Sequence, residues 1–120
     1  MPTDVAEQWA EDGTASRWRS SAIAASAGYT TLGYHATKPT YLARLAGTMS
    51  VAGTVGVYYA DDAAGTNEAV LIAPQPVGAN GGPHEVHEDD LAMMPFAPAG
   101  KYLLLKTTAG TFSGRSVTGN

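Results

Sequence analysis

Hydrophobic and polar positions alternate with a period of two along several short segments that begin near Tyr29. Residues 54–60 show this best, because Val55, Val57 and Tyr59 share one face. Such alternation is typical of a half-buried β-strand, and no helical period of useful length appears in this part of the chain. By the same reasoning, further strands are predicted at residues 41–49, 69–73, 102–108 and 111–118.

The residues between these segments predict two hairpins. Ala109 and Gly110 separate the last two predicted strands, and a short glycine-containing link is typical of a tight turn. Asp61, Asp62 and Gly65 separate two earlier strands. Aspartate side chains bond nearby backbone N–H groups and glycine tolerates positive φ, so these residues suit a chain reversal.

Segment 74–83 is rich in proline and glycine. Proline lacks the N–H that a β-ladder needs and glycine adds an entropy cost, so we expect a loop here. Short strands joined by such turns predict an all-β fold. The expected architecture is a small β-sandwich or jelly-roll-like domain over residues 28–120.

Residues 1–27 lack the alternation and hold both tryptophans, which predicts an extended or short-helical N-terminal arm. Asp4 and Glu7 resemble a capping box at a helix start, and Val5 and Trp9 fall on one helical face. A helix of about two turns is marginal by itself. We therefore treat this segment as an arm attached to the sandwich.

The two tryptophans of the arm are its candidate anchors. Trp9 and Trp18 are nine positions apart and so cannot share one helical face. They either dock on a partner protein or complete the core of the domain itself, and the sequence leaves both readings open. The candidate partner-binding residues are Val5, Trp9, Arg17, Trp18 and Arg19.

Length and composition narrow the possible functions. The 120 residues suffice for one core, and only 15% of them are charged, fewer than in most soluble monomers, so part of the surface is expected to face protein. A net charge of −4 with seven scattered basic residues argues against nucleic acid as a partner. No secretory signal, membrane-spanning run or cysteine is found in the sequence.

One cluster of titratable residues invites a test for metal chemistry. The segment 84–90 contains His84 and His87 among four carboxylates, but a zinc-protease helix needs its two histidines four positions apart, and these are three apart. On a strand the two imidazoles would point to opposite faces. We therefore expect a solvent-facing acidic loop without a metal.

Other catalytic motifs are also missing from the sequence. No Gly-x-Ser-x-Gly elbow occurs, and the glycine-rich segment 78–82 lacks the lysine of a phosphate-binding loop. The chain is therefore predicted to be neither an enzyme nor a cofactor-binding protein. Six tyrosines leave carbohydrate binding as the alternative class, because exposed rings stack on sugars.

Several sequence motifs resemble one family of structural proteins. These motifs are Ala46-Gly47-Thr48, Ala52-Gly53-Thr54-Val55-Gly56-Val57-Tyr58-Tyr59, the turn with Asp61, Asp62 and Gly65-Thr66, and Pro98-Ala99-Gly100-Lys101-Tyr102-Leu103. Together they resemble the small β-sandwich decoration, or cement, proteins of tailed-bacteriophage capsids. The resemblance covers residues 45–118.

The resemblance implies a homotrimer that binds the outside of the major capsid protein shell, bridges neighbouring capsomers and stabilises the virion. It also implies production in the host cytoplasm and an N-terminal arm that contacts the shell. The alternative within the same setting is a carbohydrate- or host-surface-binding module of a phage fibre or other virion structure. Either role is adhesive, with neither nucleic acid nor membrane as partner.

Overall fold

The computed structural model describes residues 19–82, 85–88 and 90–119. Almost all of these residues lie in β-strands or in the connections between them, so the predicted all-β class is confirmed. The strands are β1 (Arg19–Tyr34), β2 (Thr40–Met49), β3 (Gly53–Ala60), β4 (Ala69–Val77), β5 (Val86–His87), β6 (Phe96–Ala97) and β7 (Tyr102–Gly119), with one 3-10 turn at Leu91–Met93.

The strands form one curled antiparallel sheet around the central strand β7. The order across the sheet is β4-β3-β7-β2-β5, while β1 pairs with the other side of β7 and β6 pairs with β2. The described residues include no helix long and apolar enough to cross a membrane.

Strand β7 replaces the hairpin that was predicted at Ala109 and Gly110, and that prediction is wrong. The chain bends there instead of reversing: Ser26 pairs with Thr111 while Gly28 pairs with Thr107, so three residues of β7 bulge outward. Gly28 has φ 109° and Gly110 has φ 62°, values that glycine adopts without strain. Both halves of β7 pair with β1, so the chain forms a corner at residues 108–110 and no hairpin.

The corner divides the sheet into two halves that pack against each other. The A half consists of β4, β3, residues 102–107 of β7 and residues 28–34 of β1. The B half consists of residues 19–26 of β1, residues 111–119 of β7, β2, β5 and β6. Their facing sides enclose one core, as expected of a sandwich-like domain.

The core draws on both halves of the sheet. Leu42, Met49 and Phe112 come from the B half, and Leu103 and Leu105 from the A half, each of them at most 1% exposed. Leu103 and Leu105, two positions apart on β7, both point into this core, as the period-two pattern requires. The described residues therefore bury a continuous core among themselves.

Residues 19–27, which the sequence analysis placed in the arm, form the first part of β1. Ile23 and Ala25 point into the core there, while Ala22 and Ala24 face outward. Alternation among alanine and serine is hard to see in a sequence because the residues differ little in hydrophobicity. Pairing with β7 determines the strand instead.

The predicted hairpin at Asp61, Asp62 and Gly65 is confirmed, and it joins β3 to β4. Asp62 Oδ1 accepts from the backbone N–H of Ala64 at 2.9 Å, and Asp62 Oδ2 accepts from the Thr66 hydroxyl at 2.6 Å. The Asp62 carboxylate thus accepts hydrogen bonds from groups in the turn that would otherwise lack a partner within it.

The expected loop at 74–83 is wrong for its first part, because β4 continues through Pro74 and Pro76 to Val77. Pairing survives because β4 has a described neighbour only on its β3 side, and proline is tolerated on an edge strand. The loop begins after Val77 in the structure.

The acidic segment is only partly a loop. Glu85, His87 and Asp90 are exposed, as expected of a solvated segment. Val86 and His87, however, pair with Leu45 and Arg44 as the short strand β5. His84 and Asp89 lie outside the described residues.

Candidate functional site

An apolar patch stands out on the outer side of the B half. Leu91, Met93 and Phe96 are 42%, 65% and 44% exposed, and the partly buried Tyr41 lies beside them, with its ring centroid 5.5 Å from that of Phe96. We call these four residues the 91–96 patch. Large apolar side chains exposed together on a small domain mark a contact surface for another molecule.

The segment that presents the patch is held in place by its own contacts. Met94 is buried against Ala43, and Tyr41 and Val117 pack around that pair. The backbone is held as well, because Leu42 N–H donates to the Pro95 carbonyl at 2.9 Å. A support of this kind lowers the entropy that the exposed side chains lose when a partner binds.

A short turn fixes the first part of the patch. Asp90 Oδ1 accepts from the Ala92 backbone N–H at 3.0 Å and so caps the 3-10 turn. The Asp90 carbonyl accepts from Met93 N–H at 2.9 Å. The turn points Leu91 and Met93 outward while Met94 points inward. Asp90, which the sequence analysis assigned to a solvated loop, thus helps to shape the apolar patch.

The second uncovered feature is the outer edge of β1. This strand has 16 residues without proline, and among the described residues β7 is its only neighbouring strand. Its first half is lined by alanines and serines, with Arg19 at the end. A long edge without proline or lysine offers its backbone donors and acceptors to another chain.

The patch and the β1 edge lie on opposite sides of the B half. From one side to the other the strands run β1, β7, β2 and then β6, which carries Phe96. A head-to-tail contact between two copies would therefore bring the edge of one towards the patch of the next. Contacts of this type form closed rings when the rotation between copies permits.

The outer face of the A half carries a group of tyrosines that contact each other and charged residues. The rings of Tyr29 and Tyr58 meet edge to face with centroids 6.5 Å apart. Lys106 Nζ lies 5.0 Å from the Tyr29 centroid and 5.5 Å from the Tyr58 centroid, and 3.6 Å from a Glu68 carboxylate oxygen. Gly65 packs on the Tyr29 ring.

These contacts explain the two pKa shifts on this face. The Tyr29 hydroxyl donates to Glu68, and this hydrogen bond, followed by partial burial, raises the pKa of Tyr29. The hydrogen bond with Tyr29 likewise raises the pKa of Lys106. Both groups keep their protons at neutral pH, so the shifts describe a structural network and give no general acid or base.

The described tyrosines differ in how much ring surface they leave free, and Tyr34 is 43% exposed. Tyr34 and Tyr102 stack on one another with centroids 4.2 Å apart. Tyr58 is 5% exposed, and both Tyr29 and Tyr58 carry Lys106 over a ring face. Carbohydrate stacking needs an open ring face, and contacts within the domain cover part of these four rings.

The structure tests little of the predicted partner-binding set. Val5, Trp9, Arg17 and Trp18 lie outside the described residues. Arg19 opens β1 opposite Thr118. Within the part of the chain that is described, no group of three or more His, Asp or Glu residues is arranged to hold a metal ion.

Sequence reasoning missed the 91–96 patch. The run Met93-Met94-Pro95-Phe96 is the signal that could have found it, because four apolar residues stand together in a segment without strand alternation. Such a run is compatible with either a buried or an exposed segment. Only the packing of Met94 on Ala43 shows which side chains remain outside.

Comparison with known protein families, with curated proteins and with solved structures gives no match to this chain.

Proposed function

We propose that this chain is a non-enzymatic structural protein that assembles with copies of itself and decorates a larger protein shell, as the capsid decoration proteins of tailed bacteriophages do. The observation that supports this proposal most is the pair of uncovered surfaces on opposite sides of the B half, the 91–96 patch and the β1 edge. Two such surfaces suit a head-to-tail ring, and a homotrimer is the ring that we propose.

The arm is the proposed contact with the major capsid protein. In the described structure the chain enters β1 at Arg19, which pairs with Thr118 of β7. Trp9 and Trp18 are the proposed anchors of the arm, because buried indole rings supply much of the binding free energy at protein interfaces.

Carbohydrate or host-surface binding remains the second candidate. The tyrosines of the A half favour it by residue type, and Tyr34 is 43% exposed, but the rings of Tyr29 and Tyr58 are already in contact with Lys106. A glycan array with a reproducible specific hit would favour this candidate over the shell.

The self-association can be tested by light scattering with the full chain over a range of concentrations. We expect a mass of three copies, and we expect Met93→Glu to shift the protein towards monomer because it introduces a charge into the apolar patch. The matched control is Val70→Glu, which adds the same charge at a β4 position that is 56% exposed. A 12.4 kDa species at micromolar concentration for the unsubstituted chain would refute the proposal.

The shell contact can be tested with expanded empty shells made from the major capsid protein of the genome that encodes this chain. We expect the protein to bind the exterior in multiples of three, as seen by electron cryomicroscopy. Trp9→Ala and Trp18→Ala should each weaken binding by about 2 kcal/mol or more, roughly thirtyfold. Their melting temperatures without shells should match that of the unsubstituted chain.

Two results would contradict the shell proposal. Shells that stay bare, or a genome without a capsid gene, would remove the capsid as partner. A large fall in the melting temperature of either tryptophan variant by itself would show that the arm belongs to the core, since core aromatic truncation costs about 3–5 kcal/mol.

A further inference from the structure

Two tyrosine rings face each other at one end of the A half. Tyr34, the last residue of β1, pairs directly with Tyr102, the first residue of β7. Their ring centroids are 4.2 Å apart and the ring planes differ by 25°, so the rings are stacked. Side chains of directly opposite residues project from the same face of an antiparallel pair, and the strand register therefore sets this stacking.

Tyr34 is also the phenol of this chain that solvent reaches most easily. All six tyrosines of the sequence lie among the described residues, and of these only Tyr34 is exposed, to 43%. A cavity of about 300 Å³ opens between the two halves at this end of the sandwich, with Tyr34 in its wall. A small oxidant can therefore meet the Tyr34 ring, and the ring stacked on it is that of Tyr102.

Stacked phenols of this kind can be joined by oxidation. A one-electron oxidant removes one electron and one proton from each phenol and leaves two phenoxyl radicals. The radicals couple through the carbons next to their C–O bonds and form one C–C bond. The hydrogen on each coupled carbon then moves through solvent to the phenolic oxygen, which restores both aromatic rings. Two electrons and two protons leave in all, and the oxidant accepts the electrons: hydrogen peroxide becomes water, or persulfate becomes two sulfate ions.

The other pair of neighbouring tyrosines lacks these features. The rings of Tyr29 and Tyr58 meet at 80° with centroids 6.5 Å apart, and Tyr58 is 5% exposed. Lys106 lies over both rings, and a positive charge beside a ring opposes the loss of an electron from it. The Tyr29 proton is also held in the hydrogen bond to Glu68. The same chain thus contains one pair suited to coupling and one that is not.

We propose that Tyr34 and Tyr102 form an intramolecular dityrosine cross-link when the protein meets a one-electron oxidant, such as a peroxidase supplied with hydrogen peroxide. Because the two rings are already held together, coupling within the pair is favoured over coupling between molecules. The bond joins side chains on the face of the sheet, so it leaves the 91–96 patch and the backbone groups of the β1 edge unchanged. It is independent of the proposed assembly on a shell.

The cross-link should stabilise the domain. Residues 34 and 102 are far apart in sequence, and a covalent bond between them restricts the unfolded chain much as a disulfide does. We expect the melting temperature of the cross-linked protein to rise by about 5 °C or more.

The proposal can be tested by brief oxidation of the full chain with persulfate and a light-activated ruthenium complex, followed by digestion and mass spectrometry. We expect one main product, a covalent monomer lighter by two hydrogen atoms, in which the peptides of Tyr34 and Tyr102 are joined. Its yield should exceed that of any other tyrosine pair by about tenfold. In urea, where the rings separate, that yield should fall by a similar factor.

Substitution by phenylalanine separates the chemistry from the packing. Tyr34→Phe and Tyr102→Phe keep both rings but remove a phenol, so each variant should melt close to the unsubstituted chain before oxidation and give no joined peptide after it. Tyr29→Phe is the matched control and should leave the yield unchanged. Absence of dityrosine from the unsubstituted chain, coupling mainly between molecules, or equal yields in folded and unfolded protein would each overturn the proposal.

Discussion

The two long edges of the sheet differ sharply in the residues that form them. The β4 edge contains Pro74 and Pro76, and proline lacks the N–H that pairing with another strand needs. The β1 edge is nearly twice as long, lacks proline and has small uncharged side chains over most of its first half. One edge is protected by its own sequence, and the other is available to a partner.

The surroundings of the two edges differ in the same way, with local contacts beside β4 and open surface beside β1. Beside β4, the turn at Asp61 and Asp62 is held by local hydrogen bonds and an ion pair to Lys101. Beside β1 lie the cavity between the halves and the point where the chain enters the described structure at Arg19. Polar and aromatic contacts thus stabilise the A half locally, while the B half exposes the 91–96 patch and the first part of the β1 edge.

The largest change in stability is expected at the corner in β7 that joins the two halves of the sheet. A Cβ atom on Gly110 would lie 2.5 Å from both Ser50 Oγ and Val51 Cγ2, and φ there is 62°. Gly110→Val should lower the free energy of unfolding by about 2–4 kcal/mol, from the left-handed backbone and the overpacking together. Urea denaturation followed by circular dichroism would measure the change.

Gly78→Val is the matched control for the corner, because Gly78 has negative φ and open space around its Cβ position. We expect a change within about 0.5 kcal/mol there. Equal effects at both glycines would mean that the bend in β7 does not depend on Gly110.

The next largest effect is expected on self-association when a lysine is placed on each of the two edge strands. Ala24→Lys places a charge on the exposed side of β1, and Val70→Lys places the same charge on β4. Because lysine protects an edge strand from pairing, Ala24→Lys should weaken the proposed trimer about tenfold or more, and Val70→Lys should have little effect. Sedimentation velocity over a concentration series would compare them. If Val70→Lys is the more disruptive variant, the division between the edges is reversed.

The smallest effect is expected on the pH dependence of stability, through the Asp61 and Asp62 turn beside β4. Hydrogen bonds from Lys101 and Asn67 lower the pKa of Asp61 below its usual 3.8, and hydrogen bonds from Thr66 lower the pKa of Asp62 in the same direction. A carboxylate with a lower pKa in the folded state adds stability above the unfolded value, and this is lost as the pH falls through the folded value. Melting temperatures should therefore decline below about pH 4.

Asp62→Asn keeps an oxygen acceptor for Ala64 and Thr66 but cannot titrate, so its melting temperature should depend less on pH in that range. Glu85→Gln removes one charge at an exposed position and serves as the comparison. An unchanged pH dependence in Asp62→Asn would remove this turn as a source of acid sensitivity.

The alternation of residue types predicted the class of fold and most strand positions. Strands β2 and β3 begin within a residue of the predicted starts, because Val55 and Val57 alternate clearly with polar or small neighbours. The turn at Asp62 was also predictable, since it depends on side chains that bond backbone groups only a few residues away. The sequence by itself thus determined what depends on local chemistry and on a period of two.

Tertiary structure decided the features that depend on a distant strand. Gly110 could end a hairpin or bend a strand, and only the pairing of β1 with both halves of β7 selects the bend. The packing of Met94 on Ala43 likewise decides that Met93 and Phe96 remain outside. The physical reason is the same in both cases: backbone hydrogen bonds and side-chain packing join residues far apart in sequence, and a local pattern is compatible with more than one such pairing.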